Sequence, residues 1–227
     1  MKINGMQKNS FVDYPGKISA VLFTPGCNMD CFYCHNRILL DGSYENLINS
    51  KDVLTFLESR KGFLDGVVVS GGEPTLQKGL LPFLSLIKGI GYPIKLDTNG
   101  TNPEVIKNCF DKGLLDYIAM DFKAPLNKYK DICGTEVDIG NIMKSVELII
   151  NSGISYEFRT TLAPGLDPED IVEIAEQIRG AKLYVLQKCR NEAGEGLGYS
   201  SESIDYLLAR IKNIVNAIET RGVSFCA

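Results

Sequence analysis

Residues 18–36 read ISAVLFTPGCNMDCFYCHN. The first seven, ISAVLFT, are a β-rich apolar run that a Pro-Gly turn ends, and three thiols follow within eight positions at a Cys-x3-Cys-x2-Cys spacing. A loop that short points Cys27, Cys31 and Cys34 at one inorganic centre. Electron-transfer clusters usually use four cysteine ligands, so three leave one iron open for chemistry. The alternative is a structural zinc site of Cys3His type using His35, the only histidine. Adjacent Cys34 and His35 make poor joint ligands of one tetrahedral ion, and zinc spacing rarely runs x3 then x2.

Outward from this loop, five more β-rich runs recur: GVVVS (66–70), IKLD (94–97), YIAMDF (117–122), YEFRTTL (156–162) and LYVLQ (183–187). Segments of helical period lie between them. Asn102 with Pro103 opens a helix that Gly113 closes, and Asp167 with Pro168 opens one that stops at Gly180. A third, from about Asn141, carries Met143, Val146, Ile149 and Ile150 before Gly153. The last carries Ile204, Leu207, Leu208, Ile211, Val215 and Ile218 on one stripe before Gly222. Strands alternating with amphipathic helices predict an α/β fold with a parallel sheet, doubly wound or curled into a barrel. No low-complexity linker interrupts residues 1–227, so a single domain is expected.

In such sheets chemistry gathers at the carboxyl ends of the strands. Gly71, Gly72 and Glu73 end the second run, Asp97 and Asn99 the third, Asp121 and Lys123 the fourth; Arg159 lies late in the fifth, and Gln187 ends the sixth. Six strand ends are expected to converge on one polar site.

Composition sets the outer bounds. The chain has 227 residues, 44% hydrophobic and 23% charged, with 24 basic against 28 acidic side chains and a net charge of −4. No basic stripe suits nucleic acid, no apolar stretch approaches the roughly 18 residues that span a bilayer, and no signal core opens the sequence. A cytoplasmic location is expected. Seven cysteines without such a signal argue for metal binding or buried thiols over disulfides. Cys109, Cys133, Cys189 and Cys226 are scattered singly and read as small buried hydrophobes without an assigned role.

The stretch NSFVDYPGKISAVLFTPGCNMDCFYCHN (9–36), with SGGEP at 70–74, DTNG at 97–100 and MDFK at 120–123, resembles the radical SAM glycyl-radical-enzyme activases. The resemblance implies a partial (β/α)6 TIM-like barrel with outer helices. It implies a [4Fe-4S] cluster on Cys27, Cys31 and Cys34, its open iron chelated by S-adenosylmethionine. Reductive cleavage would yield a 5′-deoxyadenosyl radical that installs a glycyl radical on a partner. By position, Tyr33 would lie against the adenine, Gly71 and Gly72 would let backbone approach the methionine moiety, and Glu73 would oppose the ammonium and sulfonium charge. Asp97, Asn99 and Asp121 join the cofactor-binding set. Asp97, Thr98, the Ala119 carbonyl and Asp121 match positions that in some activases gather a monovalent cation. Lys123 or Arg159 can instead neutralise the cofactor carboxylate. Gln187 stands where relatives often present a histidine. Asp13 matches a position near the protein substrate, or serves its local turn.

The chain carries no insertion for auxiliary clusters. The opening GMQKNSFVDYPGK (5–17) and LQK (186–188) look most like the proteins that activate anaerobic ribonucleoside-triphosphate reductase, with a flavodoxin- or ferredoxin-type electron donor. Two alternatives remain open: a radical SAM enzyme acting on a small molecule, like 7-carboxy-7-deazaguanine synthase, and a non-catalytic iron-sulfur or zinc binding module.

Overall fold

The computed structural model describes residues 1–40, 47–190, 196–197 and 199–222, which excludes Cys226. Its framework is a nine-stranded sheet. β1 (Gly5–Ser10) pairs antiparallel with β2 (Ser19–Thr24). From β2 the sheet runs parallel and in chain order through β3 (Gly66–Gly71), β4 (Ile94–Thr98), β5 (Tyr117–Asp121), β6 (Ser155–Leu162) and β7 (Tyr184–Arg190). The short β8 (Gly196–Leu197) turns back on β7, and β9 (Ile218–Arg221) lies parallel to it. Helices α1 (Ser50–Ser59), α2 (Leu80–Ile90), α3 (Pro103–Asp111), α4 (Tyr129–Cys133), α5 (Ile139–Ile150), α6 (Pro168–Gln177) and α7 (Ser201–Ile211) fill the crossovers. All six strands expected from the sequence are present, in the order of a partial (β/α)6 barrel.

Successive side chains on a strand point to opposite faces, and the two faces here differ in kind. Ala20, Leu22, Val67, Val69, Ile94, Leu96, Ile118 and Met120 join the helices in the large core. The inner face holds a small apolar cluster of Tyr14, Val21, Val68, Tyr117 and Ala119, with Phe23 against it. Lys95 and Asp97 of β4, and Glu157 and Arg159 of β6, share the parity of that inner face, so the barrel's interior is apolar at one end and charged towards the other.

Two expectations are corrected. Asp167 caps α6 in a capping box with Asp170, as its sequence suggests, but the Asn102 side chain does not cap α3; it donates to Thr75 Oγ1 at 2.8 Å. The last helix stops at Ile211 instead of continuing to Ile218, and Ile218 opens β9, whose pairing covers what would be an open edge of β7. No helix among the described residues is long and apolar enough to cross a membrane.

Candidate active site

The cysteine loop leaves the end of β2 and is strapped to its neighbours by backbone. Gly26 N–H donates to Leu39 O, Glu73 N–H to Gly26 O and Asp30 N–H to Cys133 O, each at 2.8 Å. Asn36 Nδ2 adds a bond to Gly71 O at 3.2 Å and Gln77 Nε2 one to Pro25 O at 2.8 Å. So held, Cys27, Cys31 and Cys34 line one cavity of about 210 Å³. Among the described residues no three His, Cys, Asp or Glu side chains converge closely enough to hold a single ion.

The thiols differ in acidity. Burial pushes Cys27 up to about 11 and raises Cys34 as well. Cys31 is drawn down to about 7, chiefly by a hydrogen bond from the Cys133 thiol, with Lys123 assisting against burial; Cys133 is pushed up in turn. Cys109, Cys133 and Cys189 are buried as expected, yet Cys133 on α4 is also the neighbour of a candidate cluster ligand.

Gly71 and Gly72 both line the cavity, but what forbids a side chain there is the cysteine strand itself. A Cβ on Gly72 would fall 2.0 Å from Gly26 O, and one on Gly71 (φ +117°) 2.3 Å from Thr24 N. Glu73 differs from expectation too. It is fully buried, does not line the cavity, and spends its carboxylate on Thr75 N (3.0 Å), Thr75 Oγ1 (2.5 Å), Thr98 Oγ1 (2.8 Å) and Asn99 N (2.7 Å). Burial raises its carboxyl's pKa while these four donors oppose the shift. It clasps the end of β4 to the loop after β3 instead of facing a ligand.

Acids and cations interleave along the inner wall. Asp97 accepts from Lys95 Nζ at 2.5 Å, Ser70 Oγ at 3.1 Å and Arg159 Nη1 at 3.3 Å. Asp121 accepts from Arg159 Nε at 2.7 Å and Lys123 Nζ at 2.9 Å. Arg159 and the lysines hold both carboxyls below the usual carboxylate range despite burial. Thr98 Oγ1 is committed to Glu73, and Ala119 is buried within the small apolar cluster. Lys95, Lys123 and Arg159 thus stand against the Asp97 and Asp121 carboxylates that the resemblance offered to a monovalent cation.

Tyr33, Asn99, Lys123, Arg159 and Gln187 all reach the cavity. Asn99 leans on the cysteine loop, its Nδ2 bonded to Asn28 Oδ1 at 2.8 Å and 3.9 Å from Cys27 Sγ. Asp13 stands apart. Its loop joins the end of β1 to the start of β2, the opposite end of the sheet from the thiols, and its carboxylate accepts from Ser10 Oγ within the turn. The sequence reading missed Lys95, Glu157, Arg221 and Cys133. Lys95 and Glu157 stand two residues before Asp97 and Arg159, so the strand period alone placed them on the same face.

The residues fit a cluster and S-adenosylmethionine. Three thiols share the cavity, the glycines open its wall, and Lys123 and Arg159 bring positive charge to it. The Tyr33 hydroxyl is buried without a hydrogen-bond partner among the described residues, and a ligand can supply one.

Comparison with known proteins agrees. The model of the radical SAM superfamily matches residues 21–178. The "Putative glycyl-radical enzyme activating enzyme MJ1227" of Methanocaldococcus jannaschii is 39% identical over 198 residues, covering 82% of this chain and 79% of its own. The pyruvate formate-lyase-activating enzyme of Clostridium pasteurianum is 31% identical over 192 residues, covering 80% and 77%. In structure, Streptococcus suis SuiB bound to S-adenosylmethionine superposes with a TM-score of 0.66 at 13% identity, over 88% of this chain and 51% of that one, which speaks to the fold alone. With the thiols, the strand ends and these relatives in agreement, the chain belongs to the radical SAM superfamily, whose cofactors are a [4Fe-4S] cluster and S-adenosylmethionine, and within it to the glycyl-radical enzyme activating enzymes.

Proposed function

We propose that the chain installs a glycyl radical on an anaerobic ribonucleoside-triphosphate reductase, using an electron from a flavodoxin- or ferredoxin-type donor in the cytoplasm. The observation that carries the activation chemistry is the meeting of Cys27, Cys31 and Cys34 with Lys123 and Arg159 in one cavity at the strand ends. The choice of reductase rests on the likeness of residues 5–17 and 186–188 to that branch of the family. Bound there, a [4Fe-4S] cluster and S-adenosylmethionine would supply the radical chemistry that removes a hydrogen atom from the partner's glycine.

In this reading the chain binds and orients. Cys27, Cys31 and Cys34 would hold the cluster. Lys123 and Arg159, themselves steadied by Asp97 and Asp121, receive the cofactor carboxylate, and Arg159 offers a planar fork for it. Gly71 and Gly72 leave backbone bare on one wall, Tyr33 presents its ring and its unpartnered hydroxyl, and the Gln187 amide donates and accepts at the far side.

The test is anaerobic reconstitution with dithionite, S-adenosylmethionine and the candidate reductase, scored by the glycyl-radical doublet in electron paramagnetic resonance, with Cys31→Ala as control. A doublet that depends on Cys31 supports the assignment. If 5′-deoxyadenosine accumulates while no radical forms on the reductase, the partner is wrong; if neither forms with a full cluster, the catalytic role is.

A further inference from the structure

Glu157 lies on the inner face of β6 with no solvent exposure. Arg221, delivered by β9, grips both its oxygens, Nη1 to Oε1 at 2.9 Å and Nη2 to Oε2 at 2.7 Å, and Tyr117 Oη donates to Oε2 at 3.0 Å. Arg159 reaches it only at long ion-pair range. Its Nη1 is 3.9 Å from Glu157 Oε1, while that same atom contacts Asp97 and Nε holds Asp121. The guanidinium thus stands between two sources of negative charge, one at the cavity and one below it.

A buried carboxylate stripped of its cation is strongly disfavoured and recruits the nearest one. Without Arg221 the candidates are Arg159 and Lys95, and both are already spent on Asp97. Either move loosens the wall of the cofactor cavity. We propose that Arg221 is a positioning residue for cofactor binding: by occupying Glu157 it leaves Arg159 on Asp97 and Asp121, with Nη2, which bonds none of the described residues, turned to the carboxylate of S-adenosylmethionine. This rests on the assignment of Arg159 to the cofactor given above. It makes the C-terminal strand part of the site although no residue of β9 lines the cavity.

The experiment measures S-adenosylmethionine affinity of the anaerobically reconstituted protein by equilibrium dialysis, with iron content and Tm recorded for each variant. Arg221→Ala is expected to weaken binding about tenfold at unchanged iron content. Adding Glu157→Gln to it is expected to restore binding to within about threefold of the parent, since a neutral amide no longer competes for Arg159. A residue that merely props the fold would leave the double variant as weak as the single or weaker. Should Arg221→Ala not fold, Arg221→Lys, with one ammonium for two oxygens, replaces it in the same pair of measurements. Unchanged affinity in the Arg221 variant, or no recovery in the double, overturns the proposal. Arg159→Gln runs alongside: if it binds as the parent does, the assignment of Arg159 fails and the proposal with it, whereas weakened binding there without recovery in the double overturns the positioning role alone.

Discussion

Arg159 Nε lies 2.7 Å from Asp121 Oδ1, a side-chain ion pair between residues that face each other across the paired strands β6 and β5 at the mouth of the cavity. The pairing depresses the Asp121 carboxyl, and Asp97 beside it, so both favour the folded state when ionised. Depressed carboxyls contribute stability above their unfolded value, about pH 4, and lose it as pH falls through the lower folded value. Arg159→Gln is expected to cost about 3 kcal/mol at pH 7. The gap from the parent should narrow below about pH 4. Urea unfolding of the cluster-free protein across pH measures both; a gap independent of pH refutes the account.

The cysteines should separate by pH. The thiolate is the nucleophile, so in the reduced, cluster-free protein Cys31, drawn down, is expected to begin reacting with iodoacetamide at lower pH than Cys27, which burial pushes up. Mass spectrometry after timed pulses reads the two profiles. Cys133→Ala removes the donor and is expected to move the Cys31 profile to higher pH; an unmoved profile would show that Cys133 is a bystander.

Glycine substitutions should have opposite signs at two positions. Gly72→Ala drives a methyl into the Gly26 carbonyl and is expected to destabilise by about 2–3 kcal/mol and to lower iron retention. Gly89, on the exposed side of α2, has nothing within 4 Å of its would-be Cβ. Gly89→Ala should stabilise by about 0.5–1 kcal/mol. Thermal and denaturant melts decide the signs.

Glu73→Gln keeps the shape and reverses one hydrogen-bonding edge, setting an amide against donors that now point at a carboxylate. The expected cost is about 2 kcal/mol in denaturant unfolding. A stable variant with weakened cofactor binding would instead return Glu73 to the direct ligand role that its position in SGGEP suggests.

Much of the site was legible because it is written at strand ends, where the chain turns from apolar to polar within a residue or two: Asp97, Asp121 and Gln187 follow directly on apolar runs. Glu73 was legible as a position, but its bonds to Thr75, Thr98 and Asn99 were not, since sequence does not tell which way a buried carboxylate turns. Cys133 was hidden by distance along the chain; only the fold of α4 against the cysteine loop brings it to Cys31. Arg221 was hidden by a false period. Ile211, Val215 and Ile218 continue a helical spacing, and what overrides it is the unfilled edge of β7, a tertiary demand with no local signature.

The parallel strands β2 to β7 lie in the sheet in the order of their synthesis. Each new βα unit therefore docks on an edge already made, which keeps closures local as the chain emerges. The thiols come out early, with β2, and stay uncovered until Tyr129–Cys133 arrives late in the middle third of the sequence. Arg221 comes later still. The nascent chain thus carries bare thiols first and, after Glu157 is made, a carboxylate that waits for Arg221.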